Sequence, residues 1–370
     1  MHRSVQTQRR PQFHVKHGPD GRSPRRLGRH QNEGLANHVT DVRPTGEDSL
    51  DDAARRAALL ESIPDVGIDT PLGAQVATDQ RRHAVISGST FETPSQTRVF
   101  TVANQKGGVG KTTTAVNIAA AMTRAGLTVL VIDNDPQGNA STALGIEHGS
   151  GTPSTYDVLL GDSSMAEVVQ TSPYNDKLLC VPSTIDLSGA EIELVTVDSR
   201  ETRLREALRS YLVHRTAEGL GRIDYVFIDC PPSLGLLTVN AFSAAAEVLI
   251  PIQCEYYALE GLSQLLKNIE LIRAHLNPAL TVSTILLTMS DVRTNLAREV
   301  AAEVREHFAE QTLRTVIPRS VRISEAPSYG QSVIQYDPSS SGALAYAEAA
   351  REISRRPGPT TSTTSEDGTA

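Results

Sequence analysis

Short apolar runs rich in β-branched residues alternate with amphipathic stretches through the middle of this chain. The runs "RVFTVAN" (98–104) and "LTVLVID" (127–133) are each followed by a Gly-containing turn or a helical pattern. Five further runs, "LLCVPS", "YVFIDC", "EVLIPI", "VSTILLTM" and "RTVIP", read as buried strands between residues 178 and 318. Among them, "ETRLREALRSYL" and "LEGLSQLLKNIELIRAHL" carry apolar positions at helical spacing. Apolar strands alternating with helices predict an α/β fold: a mostly parallel twisted sheet with helices on both faces, three layers in all. In such sheets ligands sit beyond the carboxyl ends of the strands.

The two ends lack this rhythm. From Met1 to about residue 96 only "SLDDAARRAALLESIP" (49–64) reads as a helix, with Ser49 as its cap, Asp51 and Asp52 in its first turn and Pro64 ending it. The rest of that segment, and "RRPGPTTSTTSEDGTA" at the other end, has the polar, Pro- and Gly-containing composition of solvated chain. The expected organisation is a disordered basic arm with one short helix over 1–96, a folded domain over 97–355 and a disordered tail over 356–370.

Composition agrees and adds little else. A hydrophobic content of 39% with only 4% aromatics fits a folded middle with loose ends. The net charge of -8 conceals an asymmetry, because residues 1–30 hold eight Lys and Arg against the single acid Asp20, leaving -15 for the remainder. An acidic body argues against a blanket electrostatic nucleic-acid binder while allowing a local basic patch. Cys180, Cys230 and Cys254 are widely spaced and outside any CxxC pattern, which indicates neither a disulfide framework nor a zinc site. With no long uninterrupted apolar run, the reading is a cytoplasmic protein without membrane attachment.

The chemistry is concentrated in "VFTVANQKGGVGKTTTAVNIAAAM", which reads as strand, glycine loop and helix. That is the context a phosphate-binding loop requires, and it makes the fold a P-loop NTPase. Gly107, Gly108 and Gly110 let the backbone, Val109 included, approach a polyphosphate with its N–H groups turned inward. Lys111 neutralises the β- and γ-phosphates, the Thr112 hydroxyl ligates Mg²⁺, and Thr113 reaches the α-phosphate. The usual G-x-x-x-x-G-K-[ST] pattern needs glycine at 105, where this chain has Gln105, and it adds a second lysine, Lys106.

Two carboxylate motifs follow in order. Asp133 and Asp135 end "LTVLVIDND" at positions i and i+2, on one side of extended chain. Asp229 ends "YVFID" as the acid of a Walker-B strand, suited to hold Mg²⁺ through a coordinated water. A strand-end acid is a weak signal alone and a strong one in this order.

The stretch KGGVGKT resembles the loop of the ParA/MinD class of deviant Walker-A ATPases. "DPQGNAS", "DCPPSLGLLT", "IPIQCEYYALEGLSQL", "RTNLAREV", "TVIPRSVRISEAPSYG" and "SGAEIELV" resemble its chromosomal ParA/Soj branch, actinobacterial members in particular, from about residue 98 to 355. The resemblance implies an ATPase using ATP and Mg²⁺ that drives chromosome segregation. It implies a sandwich homodimer in the ATP-bound state, in which Lys106 reaches the partner's nucleotide. It gives Asp135 to hydrolysis and Asp133 to support of the magnesium site, and places Pro318 among the nucleotide contacts. It also implies non-specific DNA binding on the nucleoid through Arg293 and Arg322, with Arg319 contributing or facing the nucleotide, and stimulation by a ParB-type centromere-binding protein.

The resemblance does not interpret the arm. "FHVKH" (13–17) is encodable as an inverted repeat resembling the DNA site that ParB-type proteins bind, so one reading has it constrained as DNA, upstream of a misassigned start. Alternatives to the whole assignment are a MinD-like membrane ATPase, for which the tail has no apolar face; a reductase related to nitrogenase iron protein, which needs cluster cysteines; a carrier of another cargo; and an ATP-switched scaffold without turnover.

Overall fold

The computed structural model describes residues 70–359 apart from 88–89, 256–257 and 292–293. The expected helix at 49–64 and the FHVKH stretch lie outside the described residues.

Eight strands form one sheet in the order β3-β4-β2-β5-β1-β6-β7-β8. They are β1 Arg98–Val102, β2 Val129–Asp133, β3 Gln170–Thr171, β4 Leu178–Val181, β5 Tyr225–Asp229, β6 Glu247–Gln253, β7 Thr281–Ser290 and β8 Thr312–Pro318. Every neighbouring pair is parallel except β3 with β4. The seven apolar runs of the sequence are thus strands; the two-residue β3 has too little length to leave a pattern.

Alternation along the strands sends side chains into two cores, as a sheet covered on both faces requires. Val129 and Val131 join Phe100, Val102 and Leu286 beneath the helices Lys111–Arg124 and Ser341–Arg355. Leu130, Ile132, Val226 and Ile228 face the other way, against the helices Arg203–Ala217 and Leu236–Ala244. Farther along that second face, Val248, Ile250 and Ile252 pack on the helix Ala258–His275. From β1 the chain runs outward to β2, whereas from β5 it crosses to β6 on the other side of β1, so the change of direction falls at β1. The register brings Val102, Asp229 and Asp133 to one level at the carboxyl edge beside that point.

One helix was not anticipated. Pro71–Ser87, within the stretch expected to be arm, is helical and meets the C-terminal helix through Arg82, whose Nε and Nη2 donate to the Glu348 carboxylate at 2.8 and 2.7 Å. Beyond residue 359 the expected tail lies outside the described residues.

Candidate nucleotide site

The loop between β1 and the helix Lys111–Arg124 is built around two left-handed glycines, Gly108 (φ +75°) and Gly110 (φ +88°), a conformation side-chain-bearing residues rarely adopt. A Cβ on Gly107 or Gly108 would meet no atom, so the space above them is open to a ligand. Gly110 is also the residue before the helix and offers no side-chain cap. The free N–H groups of the first turn and the positive end of the helix dipole are therefore left for an anion.

Lys111 is buried at the helix start, its ammonium 3.4 Å from the Lys106 carbonyl. Burial lowers its pKa, while Asp229, the neighbouring Cys230 and Asp135 act against that shift. Lys106 points elsewhere: its ammonium lies 2.5 Å from Glu255, and both side chains are substantially exposed. Its backbone N–H is held by the Asn104 side chain.

The three acids are in different states. Asp133 is fully buried and saturated, accepting from the Ser141 N–H (2.8 Å), the Ser141 hydroxyl (2.7 Å) and the Asp135 N–H (3.3 Å). Burial nevertheless pushes its carboxyl up to about 6. Asp229 sits beside it on the next strand, equally buried, and neither carboxylate oxygen has a hydrogen-bond partner among the described residues. Its pKa is raised well above the ordinary carboxylate range by burial and then by the Asp133 charge, with Thr112 and Lys111 pulling the other way. Asp135 lies farther out, on the cavity wall, where it accepts from the Gln137 N–H at 3.0 Å.

Of these groups Lys111 and Asp135 border a cavity of about 680 Å³, whereas Lys106, Asp133 and Asp229 are not part of its wall. One end is walled by Gly107, Gly108, Gly110, Lys111, Thr112, Thr113 and Asp135. The other is an apolar slot between Val116 of the loop helix and Ile323, Ala326, Pro327 and Val333 of the segment after β8, with Asn117 and Gln331 as its amides. Asn117 joins the two sides, its Nδ2 donating to the Thr113 carbonyl and its Oδ1 accepting from the Val333 N–H, each at 2.7 Å. Sequence reasoning missed Asn117 and this slot; the signal was the "SEAPSYG" segment, used only for resemblance.

No group of three or more His, Cys, Asp or Glu converges as a metal cage among the described residues. Mg²⁺ seldom needs one, because it is held by one or two carboxylate or hydroxyl groups together with water and substrate phosphates. The orphaned oxygens of Asp229 beside Thr112 suit that arrangement.

The remaining predicted residues do not line the cavity. Pro318 ends β8 opposite Ser290. Arg319 is exposed, with its N–H bonded to the Ser290 carbonyl. Arg322 is also exposed but carries two acidic partners, Glu325 at 3.1 Å and Asp337 at 3.4 Å. Arg293 lies outside the described residues. All three cysteines are buried and outside any disulfide, and no helix among the described residues is long and apolar enough to cross a membrane.

A family model described as an AAA domain matches residues 97–282. The sporulation initiation inhibitor protein Soj of Bacillus subtilis is 49% identical over 256 residues, 69% of this chain and 98% of that protein. The chain belongs to the ParA/Soj family of chromosome-partitioning ATPases. Another member, the chromosome partitioning protein ParA of Myxococcus xanthus, is 49% identical over 262 residues, 71% of this chain and 89% of its own. Among solved structures, a cobyrinic acid a,c-diamide synthase of Mycobacterium smegmatis with bound ADP and magnesium superposes with a TM-score of 0.60 at 37% identity, covering 72% of this chain and 99% of that one. The cell division ATPase MinD of Pyrococcus furiosus gives 0.55 at 26% identity, covering 69% and 98%. The ParA/Soj likeness therefore accounts for roughly seven-tenths of the chain, and the family model begins after the helix Pro71–Ser87.

Proposed function

We propose that this protein is an ATP-hydrolysing DNA-segregation switch whose ATP-bound homodimer binds DNA non-specifically and is reset by a ParB-type partner. The observation that carries the nucleotide reading is the uncapped, left-handed glycine loop at the cavity together with the buried Asp229 carboxylate at the end of the neighbouring strand β5, whose oxygens have no hydrogen-bond partner among the described residues. An anion at the loop and a cation at the acid would complete both halves.

In this reading the loop amides and Lys111 hold the phosphates of ATP, and Thr112 and Asp229 hold Mg²⁺, with Asp133 bracing the Asp229 strand end. Magnesium, when bound, supplies charge neutralisation on the phosphates. Asp135, at the cavity wall, orients the attacking water. Lys106 serves the nucleotide of a second copy, adding positive charge where negative charge develops during phosphoryl transfer. In the single chain its ammonium is engaged by Glu255, and because both partners are well exposed that pair is cheap to exchange.

Arg293, Arg319 and Arg322 are the proposed phosphate contacts with DNA, which would make binding fall steeply with salt. Arg322 must leave Glu325 and Asp337 to take part. The acidic body suits a basic segment of the ParB-type partner.

The test is ATP turnover with non-specific DNA, with and without that partner, beside Lys106→Ala and Asp135→Ala. Slow basal turnover raised by the two additions together, and abolished in either variant, supports the proposal. Turnover indifferent to both additions overturns the segregation role.

A further inference from the structure

The phosphate loop leans on a strand two places away in the sheet. On β7, Leu286 and Thr288 lie on one face by alternation, and Leu286 belongs to the core beneath the loop helix. Thr288 continues that face to the strand's carboxyl end, where its buried hydroxyl donates to the Val109 carbonyl at 2.9 Å. Val109 itself is buried although the glycines before it are exposed.

The direction of this bond has a consequence. In a trans peptide the C=O and the following N–H point in opposite directions. A Val109 carbonyl turned toward β7 therefore turns the Gly110 N–H away from it, on the side of the cavity that Gly110 lines. The next residue of β7 supports the same spot. Met289 adopts φ +50°, rare for a residue with a side chain, and its methyl group lies 3.7 Å from where a Gly110 Cβ would stand. Left-handed backbone at a bulky residue persists only where its surroundings demand it, and it gathers at ligand sites.

We propose that Thr288 is a positioning residue for the phosphate loop: by holding the Val109 carbonyl it aims the Gly110 amide at the phosphates of ATP, with Met289 as the backstop. This rests on the reading that nucleotide occupies the loop.

The experiment uses the full chain with Mg²⁺ and a non-hydrolysable ATP analogue, then steady-state turnover, for Thr288→Val, Thr288→Ser and, as the control for the loop itself, Lys111→Ala. Thr288→Val keeps the side-chain shape and removes the donor. It weakens analogue binding and raises KM about tenfold, with kcat within about twofold, because an amide used equally in the ground and transition states contributes uniform binding. Thr288→Ser restores binding to within about twofold while Tm stays with the parent. Thr288→Ala gives the same reading if valine misfolds. Unchanged binding in Thr288→Val beside lost binding in Lys111→Ala overturns the role of Thr288 and leaves the loop assignment standing. Unchanged binding in both overturns the loop assignment and this inference with it. A lowered Tm that serine repairs, without any change in affinity, shows a purely structural tie and also overturns it.

Discussion

Glu247 opens β6 at the amino edge of the sheet and Asp229 closes β5 at its carboxyl edge, both with no solvent exposure. Glu247 receives Arg98 Nε and Nη2 at 2.8 and 2.6 Å. The same guanidinium donates to the carbonyls of Ile353 and Arg356 and lies over the rings of Phe100 and Tyr225. The Asp229 carboxylate has no hydrogen-bond partner among the described residues, has only Thr112 and Lys111 near enough to favour its charge, and has Asp133 beside it. At the amino edge the structure is finished, the buried Arg98 and Glu247 charges answering each other inside the chain. At the other, Asp229 is the acid for which a bound cation is proposed, and a perturbed acid of that kind is how a ligand site differs from a core that merely contains acids.

Substitutions at the two acids separate these roles, and the largest effect belongs to the finished edge. Glu247→Ala leaves Arg98 buried and unpaired and costs about 3–5 kcal/mol, roughly 10 °C in Tm at about 2–4 °C per kcal/mol. A thermal melt measures it. Asp229→Asn removes an unanswered buried charge, so its melt stays at or above the parent while ATP turnover falls about a hundredfold or more.

The acids also set a pH dependence. The folded carboxyl of Asp133 titrates near 6, above its ordinary 3.8, so between those values the folded chain holds a proton the unfolded chain has released. That contribution is complete below about pH 4 and is lost as pH rises through 6, up to about 3 kcal/mol at about 1.4 kcal/mol per unit. Asp229, also raised, acts with the same sign. Urea unfolding from pH 4.5 to 7 should show stability falling, and Mg²⁺ with ADP should flatten the slope because a nearby cation favours ionised Asp229. The smallest effect belongs to the helix Pro71–Ser87. Arg82→Ala loses a half-exposed ion pair, changes global stability by less than about 1 kcal/mol, and speeds amide exchange within Pro71–Ser87.

The contrast was half legible in the sequence. The carboxyl edge announces itself, because a glycine loop with two lysines and strand-end acids are local patterns, and the apolar runs around them are strands where they read as strands. The amino edge leaves no such mark: Arg98 and Glu247 are 149 residues apart, and nothing local pairs them. Thr288 and Val109 are 179 residues apart, so a threonine in "ILLTMS" reads as one more β-branched residue. The helix Pro71–Ser87 was missed because its sequence, "PLGAQVATDQRRHAVIS", has a glycine near its start and no sustained apolar stripe, and its anchor on Glu348 is 266 residues away. The saturation of Asp133 by Ser141 likewise needs the fold to be seen, since the sequence presents Asp133 and Asp135 as equals.

The most direct test is the Tm shift produced by ADP with and without Mg²⁺, in the parent and in Asp229→Asn. An unanswered acid completed by the metal predicts a clear extra shift with Mg²⁺ in the parent, no extra shift in Asp229→Asn, and a starting Tm in that variant no lower than the parent's. An Asp229→Asn protein that melts as early as Glu247→Ala, or that keeps the full magnesium-dependent shift, would show that Asp229 belongs to the finished structure and contradict the account.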